Sequence, residues 1–220
     1  MKLQLRIKLI CFLFLSLFFS VYAQEENDKA LNDEGLNSNE HIISIKLSGL
    51  ALNPIGDNFA NKALDFKYGY NLDLNYTLPF RLIVGFKYQF MRANPSEINL
   101  IGDYDRTNIN TYGFNLGYLF QLSDKFELEP FFTIAYTSYH NKKDYSANYG
   151  GRIKFRDEAT TILFSTSLNY HFSKTVSVFL QPDYRIDFMN VETASEIQEF
   201  FDRAAYLNVQ IGVKFNFPFK

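Results

Sequence analysis

The sequence predicts an all-β fold, namely an eight-stranded antiparallel up-and-down transmembrane β-barrel with short turns at one end and long loops at the other. Bulky apolar residues alternate with small or polar residues in eight stretches, which is the period of a β-strand. After residue 23 no run of 18 apolar residues occurs, so membrane-spanning helices are excluded. Among 220 residues there are 24 Phe and 15 Tyr, which suits a lipid-facing surface with aromatic girdles.

The N-terminal segment has the pattern of a secretory signal peptide. Lys2, Arg6 and Lys8 precede an apolar run that ends at Ala23, before an acidic stretch. We therefore expect a cleaved signal peptide over residues 1–23. A membrane-anchoring helix is the alternative, but it needs about 20 apolar residues. A lipid anchor is disfavoured because Cys11 lies at the start of the apolar run, with no small residue before it.

The remainder of the chain divides into a leader and one domain. Residues 24–40 are polar and acidic, and nothing in them offsets the entropy of ordering them. We expect them to be a flexible leader. The alternating pattern then fills residues 41–220, which we assign to a single barrel domain.

The alternation is clearest in residues 64–78. Every even-numbered residue there is apolar, and every odd-numbered residue is small or polar. A helix would spread these residues around its whole circumference, whereas a strand separates them onto two faces. The eight predicted strands cover residues 43–48, 64–78, 82–90, 112–122, 126–136, 162–172, 176–188 and 207–219.

The connections between these strands are of two kinds. Short turns are predicted at residues 79–80, 123–125 and 173–174. Long polar loops are predicted at residues 54–63, 93–108, 140–160 and 189–203. This regular exchange of short and long connections indicates a meander with two unlike ends.

The apolar face is predicted to point outward. A soluble barrel would turn it inward, but eight strands enclose only a narrow lumen, and bulky apolar stripes do not fit there. The opposite face carries small residues, among them Gly69, Gly85, Gly113, Gly117 and Gly212. An open sheet edge in lipid would leave backbone groups unpaired, so the sheet is expected to close. Aromatic residues near the strand ends match two girdles: Tyr68, Tyr76, Phe90, Tyr112, Phe120, Phe126, Tyr136, Tyr170, Phe172, Phe188, Tyr206 and Phe219.

The inward face carries ionisable residues of both signs. Those predicted to face the lumen are Lys46, Asp65, Lys67, Asp73, Lys87, Glu127, Glu129, Asp183, Arg185, Asp187 and Lys214. If the Pro79 turn pairs Leu78 with Leu82, Asp73 lies opposite Lys87, and Gly117 similarly faces Phe131. Charges in a narrow space should pair. The candidate ion pairs, or gate residues of a solute path, are Lys46, Asp73, Lys87, Glu129, Asp183, Arg185 and Lys214.

The last strand carries the most specific motif. The motif reads polar, any, Gly, any, any, aromatic, any, aromatic, and it is formed by Gln210, Gly212, Phe215 and Phe217. Phe219 follows it, one residue before the final Lys220. With this motif the chain resembles the small outer-membrane β-barrels of the OmpA/OmpX type, as in the "outer membrane protein β-barrel domain" proteins of Bacteroidota.

The resemblance covers about residues 40–220 and implies a location. It makes the domain an outer-membrane barrel, the leader periplasmic, and the last-strand motif a signal for the barrel-assembly machinery. An even strand count behind an exported N-terminus then places both termini in the periplasm and the long loops outside the cell. The expected partners are the lipid bilayer of the outer membrane, lipopolysaccharide, the assembly machinery and an envelope or surface protein.

Composition and motifs exclude several functions. A net charge of −2 gives no electrostatic footprint for nucleic acid. One cysteine excludes disulfide scaffolds and multi-cysteine metal sites. No histidine or acidic spacing suggests a metal, and no glycine-rich loop precedes a helix to hold phosphate, so no cofactor is expected.

Two of the loops carry features of their own. In the third loop His140 has Ser138, Asp144 and Ser146 nearby, the one candidate for Ser/His/acid chemistry. The same loop carries basic residues that could contact lipopolysaccharide phosphates, namely Lys142, Lys143, Arg152, Lys154 and Arg156. The fourth loop, residues 192–203, has helical spacing, with Thr193 and Glu196 as a capping pair.

Four hypotheses for function follow from this sequence. The first is a non-enzymatic barrel with a structural or surface-interaction role in the cell envelope. The others are a small porin-like solute channel, a secretion-accessory barrel similar to PorT-like proteins, and an envelope-lipid-modifying enzyme. The fold alone does not choose among them.

Overall fold

A computed structural model describes residues 41–144, 152–189, 191 and 198–219. The predicted signal peptide and leader lie outside the described residues, as do Thr193 and Glu196 of the fourth loop and Ser146 of the third. Among the described residues, none of the helices has the length and apolar character of a membrane span.

Strands dominate the described chain. In order they are β1 (His41–Ala51), β2 (Pro54–Ile55), β3 (Leu64–Thr77), β4 (Leu82–Pro95), β5 (Arg106–Tyr118), β6 (Phe120–Gln121), β7 (Phe126–Asp144), β8 (Arg152–His171), β9 (Val176–Met189) and β10 (Arg203–Phe219). Three short helices are α1 (Phe59–Ala63), α2 (Ile98–Ile101) and α3 (Gln198–Asp202). Asn58 caps α1, because its side chain accepts a 3.1 Å hydrogen bond from the Asn61 backbone N–H.

Eight long strands form one closed antiparallel barrel. The order is β1-β3-β4-β5-β7-β8-β9-β10, and β10 pairs with β1 from His41↔Phe219 to Ala51↔Val209. Closure satisfies every strand edge of the barrel wall. The two short strands are additions: β2 pairs with the start of β10, and β6 continues β5 along β7. The predicted eight-stranded up-and-down barrel is therefore confirmed.

The two ends of the barrel differ. At one end, called here the turn end, tight turns join the strands, with backbone bonds of 2.8 Å from Leu78 N to Leu82 O and 3.0 Å from Phe172 N to Val176 O. The other end, called the loop end, carries β2 and the three helices. The predicted third loop over residues 140–160 is wrong at both edges, since β7 runs to Asp144 and β8 begins at Arg152.

The barrel is inverted relative to a soluble protein. Within the described residues, buried polar side chains outnumber buried apolar ones. Lys46 and Arg185 are 0% exposed, whereas Phe86 and Ile211 are 67% exposed. An apolar exterior of this size on every strand is compatible with lipid and not with water. The outward orientation of the apolar stripes is therefore confirmed.

The membrane-spanning part of each strand lies between two aromatic levels. In β7 it extends from Phe126 to Tyr136, which matches the roughly 9–11 residues that a tilted strand needs to cross lipid. Tyr88, Tyr112 and Tyr136 pair in one row and mark the level nearer the loop end. One predicted girdle residue is wrong: Tyr206 is fully buried, because it shares the inward side of β10 with Asn208 and Gln210.

A β-bulge shifts the phase of β3 near the loop end. Phe66 pairs with Ala93 and Tyr68 with Arg92, so Lys67 is an extra residue. The prediction that Asp65 and Lys67 face the lumen is therefore wrong. Their side chains are about half exposed and form an ion pair with each other.

Cysteine labelling would test this bulge. In a Cys11→Ser background, we expect Lys67→Cys to react within minutes with a membrane-impermeant maleimide, because residue 67 lies outside the barrel. Asn75→Cys is the matched control, since Asn75 faces the lumen and is 2% exposed. Uninterrupted alternation would place residues 67 and 75 on the same face, so protection of both would contradict the bulge.

Candidate functional site

Two lysines and two glutamates meet in the half of the lumen nearer the turn end. Lys46 Nζ lies 3.1 Å from Glu129 Oε2, and Lys214 Nζ lies 2.6 Å from Glu129 Oε1 and 3.3 Å from Glu127 Oε2. His171 adds its Nε2 at 2.9 Å from Glu127. These residues come from opposite walls of the barrel, so the ion pairs connect the two walls across the lumen.

A second ion pair links neighbouring strands. Asp73 pairs with Lys87 in register, and Lys87 Nζ lies 2.7 Å from Asp73 Oδ1. Two amides complete the shell, since Asn71 Nδ2 donates to Asp73 at 2.8 Å and Asn115 Nδ2 at 3.3 Å. A buried carboxylate with one cation and two amide donors is electrostatically satisfied.

The third cluster is built on Arg185. Its Nε lies 2.8 Å from Asp187 Oδ1 and its Nη2 lies 2.9 Å from Oδ2, a two-point pairing of residues on one face of β9. Gln89 accepts from Nη1 at 2.6 Å. The Asp187 carboxylate also accepts from Thr161 at 2.6 Å and from the hydroxyl of Tyr139.

Asp183 is the exception among the predicted ion-pair residues. Within the described residues it contacts amides instead of a cation, accepting from Asn208 at 2.9 Å and from Gln210 at 2.7 Å. Gln210 in turn accepts from Ser48 at 3.0 Å. Asp183 thus joins β9, β10 and β1 through neutral groups.

An apolar cluster fills the loop end of the lumen. We call it the loop-end plug, and its buried members are Leu50, Phe59, Ala60, Leu64, Met91, Ala93, Ile109, Tyr139, Ala159, Ala204 and Tyr206. Helix α1 supplies Phe59, whose ring lies 5.9 Å from those of Tyr139 and Phe201. Because these side chains close over the Arg185 cluster, the charges beneath them are shielded from the loop end.

Sequence reasoning missed this plug. The signal was present, because the inward positions of β4, β5 and β10 change from polar to apolar toward the loop end, at Met91, Ile109 and Tyr206. A smaller apolar group of Ile83, Leu119 and Phe131 lies near the turn end. The predicted contact between Gly117 and Phe131 is also present near the turn end, where the two residues pair. The Phe131 ring occupies the space that a Cβ at residue 117 would need.

The histidines do not assemble a described catalytic triad. His140 lies on the outside of β7 beyond Tyr136, with Nε2 at 3.0 Å from Ser138 Oγ. Outside the spanning segment, burial and then the charges of Arg156 and Lys142 lower the pKa of His140, which favours the neutral form of the ring. Among the described residues there is also no group of His, Cys, Asp or Glu suited to a metal ion.

The last-strand motif alternates across the barrel wall. Gln210 is buried in the lumen, whereas Phe217 and Phe219 are 48% and 44% exposed on the outside. Phe215 lies on the same outer face, opposite Ile45 of β1. These residues thus lie on the strand that closes the barrel.

Comparison with known proteins identifies the fold and no family. No protein-family model matches the sequence, and no curated protein matches it. A major outer membrane protein of Thermus thermophilus superposes with a TM-score of 0.53 at 10% identity, over 80% of this chain and 99% of that one.

Two further solved structures are similar. Neisserial surface protein A gives a TM-score of 0.49 at 12% identity, over 81% of this chain and 97% of that chain. Ail, the attachment invasion locus protein of Yersinia pestis, gives a TM-score of 0.47 at 14% identity, over 81% of this chain and 99% of that chain. Likeness at such identities concerns the fold alone. The closed eight-stranded sheet and the similarity to the Thermus thermophilus protein show that this chain has the fold of an outer-membrane β-barrel.

Proposed function

We propose that the protein is an integral outer-membrane β-barrel with a sealed lumen, whose role in the cell envelope is structural and whose loop end serves as an interaction surface. The single observation that carries this proposal is the loop-end plug above a lumen of paired charges. The interior of an eight-stranded barrel is narrow enough for side chains to fill it.

The arrangement of the termini supports the proposed orientation. His41 and Phe219 pair at the turn end, so the chain enters and leaves the barrel on the same side. With an exported leader, that side is the periplasm and the loop end faces outward. In this proposal the assembly machinery reads Gln210, Gly212, Phe215, Phe217 and Phe219 of β10 before the barrel closes.

The loop end carries apolar side chains outside the lipid-facing band. Ile98 and Leu100 of α2 are 55% and 46% exposed, and Phe155 of β8 is 53% exposed. Phe155 also packs against Tyr104, with ring centroids 5.8 Å apart. Apolar residues exposed to water at the end of a barrel favour a protein partner.

The three alternative functions gain less support. A porin-like channel would need a path where the loop-end plug lies, and gating by Asp73, Lys87 or Arg185 would have to break buried ion pairs. An enzyme would need an acid that orients His140, whereas the contact described for the His140 ring is with the Ser138 hydroxyl. A secretion-accessory role is one form of the partner binding proposed here.

Solute flux tests the sealed lumen. The full-length protein, folded into liposomes and checked by heat-modifiable gel mobility, should admit no more arabinose than empty liposomes. An open porin in the same lipid is the positive control. Arabinose entry that scales with the amount of folded protein would refute the sealed lumen and restore the channel hypothesis.

A further inference from the structure

Basic side chains line one outer face of the barrel beyond the tyrosine level. Arg92, Asn108, His140 and Arg156 pair in a single row across β4, β5, β7 and β8. All four share the outward side of their strands with the lipid-facing residues. Arg106 and Lys142 pair one row farther from the membrane. We call Arg92, Arg106, Lys142 and Arg156 the basic face.

Arg92 and Arg156, the two arginines of this row, are held in place by neighbouring side chains and keep N–H groups that can donate to a ligand. Arg92 Nε donates to Asn108 at 2.9 Å, and its guanidinium lies 5.5 Å from the Tyr68 ring centroid. Arg156 Nε lies 3.2 Å from Glu158 Oε1, and Arg156 also donates to the Tyr136 hydroxyl. A guanidinium has five N–H groups, so these contacts leave several that can bind an anion.

An apolar groove lies on the same side of the barrel as the basic face, and one outward row of Phe90, Asn110 and Ser138 separates the two. It has a volume of about 660 Å³ and runs between two outward rows that begin at Leu72 and Leu74 on β3 and continue across β4, β5 and β7. Tyr88, Tyr112 and Tyr136 form the row nearer the loop end, and Phe86, Phe114 and Ile134 form the other. The groove exists because Gly113 and Ala135, between the rows, have little or no side chain.

The two features are joined by contact. Arg156 reaches back to Tyr136, which is both the upper rim of the groove and the end of the membrane-spanning segment. One face therefore presents, in order, apolar groove, tyrosine hydroxyls and guanidinium groups. That is the order of acyl chain, sugar or glycerol hydroxyls, and phosphate in a membrane lipid.

We propose that this face binds a phosphorylated lipid of the leaflet at the loop end, with an acyl chain in the groove and one phosphate group at each of Arg92 and Arg156, which lie three strands apart. The inference rests on the proposed outer-membrane orientation, in which that leaflet contains lipopolysaccharide. Phosphate is the complementary charge, and arginine binds it through paired N–H groups. The lowered pKa of His140, caused in part by Arg156 and Lys142, reflects the same positive surroundings.

Binding of purified lipid A to the detergent-purified full-length protein tests the proposal by native mass spectrometry. Bisphosphorylated lipid A should bind saturably, one per chain. In Arg92→Gln/Arg156→Gln, binding should fall at least tenfold. Arg203→Gln is the matched control, because Arg203 is an exposed basic residue at the same end on β10, across the barrel, and binding should change less than twofold.

Three further ligands distinguish the sources of affinity. Dephosphorylated lipid A, the deacylated phosphosugar and inorganic phosphate should each bind at least tenfold more weakly. Equal binding of the dephosphorylated lipid, competition by inorganic phosphate at equal concentration, or wild-type binding in the double variant would each overturn the proposal. Heat-modifiable mobility checks folding, and the two single variants replace the double one if it misfolds. A sealed, native barrel without lipid binding would defeat this inference and leave the proposed function intact.

Discussion

Replacing Arg185 with methionine should destabilise the barrel by about 3–5 kcal/mol, the cost of leaving a buried charge without its partner. Asp187 would keep its hydrogen bonds from Thr161 and Tyr139 but lose a two-point pairing with a fully buried cation. Gln89 would lose its donor as well. The midpoint of urea unfolding in lipid vesicles, followed by gel mobility, measures the change in the free energy of unfolding.

A double-mutant cycle separates the charge pair from the lost side-chain volume. Asp187→Asn should also destabilise, while Arg185→Met/Asp187→Asn should recover at least about 1 kcal/mol relative to the sum of the two single effects. Arg203→Gln, at an exposed position, should lie within about 0.5 kcal/mol of the wild type. Strict additivity in the cycle would show that the two side chains are not coupled and would contradict the described lumen.

Adding one methyl group at Gly212 should destabilise the barrel by about 1–3 kcal/mol, the usual cost of overpacking. Gly212 pairs with Ser48 across the seam where β10 meets β1. A Cβ there would lie 2.7 Å from Ser48 Cβ and 2.8 Å from Ser48 Cα, and it would also overlap the Leu47 carbonyl oxygen. Backbone atoms cannot yield as a flexible side chain does, so the seam itself would have to shift.

Gly49→Ala provides the matched control for Gly212→Ala. Gly49 lies in the same seam, but a Cβ there meets nothing within 4 Å. We expect its unfolding midpoint in urea to equal that of the wild type or to exceed it slightly, since alanine reduces the entropy of the unfolded chain. Equal destabilisation by both substitutions would contradict the register of the closing pair.

The barrel itself was predictable because lipid imposes a simple pattern on the sequence. Leu72, Leu74 and Tyr76 alternate with Asn71, Asp73 and Asn75, and this period alone fixes the face that each side chain occupies. Turn position then fixes register, which is why Asp73 could be placed opposite Lys87. Neither step requires knowledge of distant contacts.

The alternation predicts the wrong face where one extra residue is inserted into a strand. It also misses the places where inward-facing residues change from polar to apolar. Lys67 is one extra residue in β3, and nothing in its neighbourhood marks a bulge, so Asp65 was assigned to the wrong face. The loop-end plug depends on α1, a five-residue helix folded over the barrel. Its position is set by packing against Tyr139 and Phe201, which are distant in the sequence.

Long-range partners within the lumen were likewise beyond the sequence. The alternation along each strand identifies which residues face inward. The tilt and stagger of the strands decide which of those residues meet across the lumen. Glu129 thus lies between Lys46 and Lys214, while Asp183 contacts amides. The basic face was visible only in part, because Arg92 lies between the predicted strand 82–90 and the predicted loop 93–108, whereas Arg156 lies in the predicted loop 140–160. Strand register brings the two residues into one row.

The central claim is that apolar stripes face lipid and the charged interior is closed off from it. The chain has no Trp, so a single introduced Trp reports its own surroundings. Phe164 is 54% exposed on the outside and Phe179 is 3% exposed in the lumen. In vesicles of lipids with brominated acyl chains, Phe164→Trp fluorescence should be strongly quenched and Phe179→Trp fluorescence should not. Quenching of Phe179→Trp that equals or exceeds that of Phe164→Trp would contradict the inverted barrel.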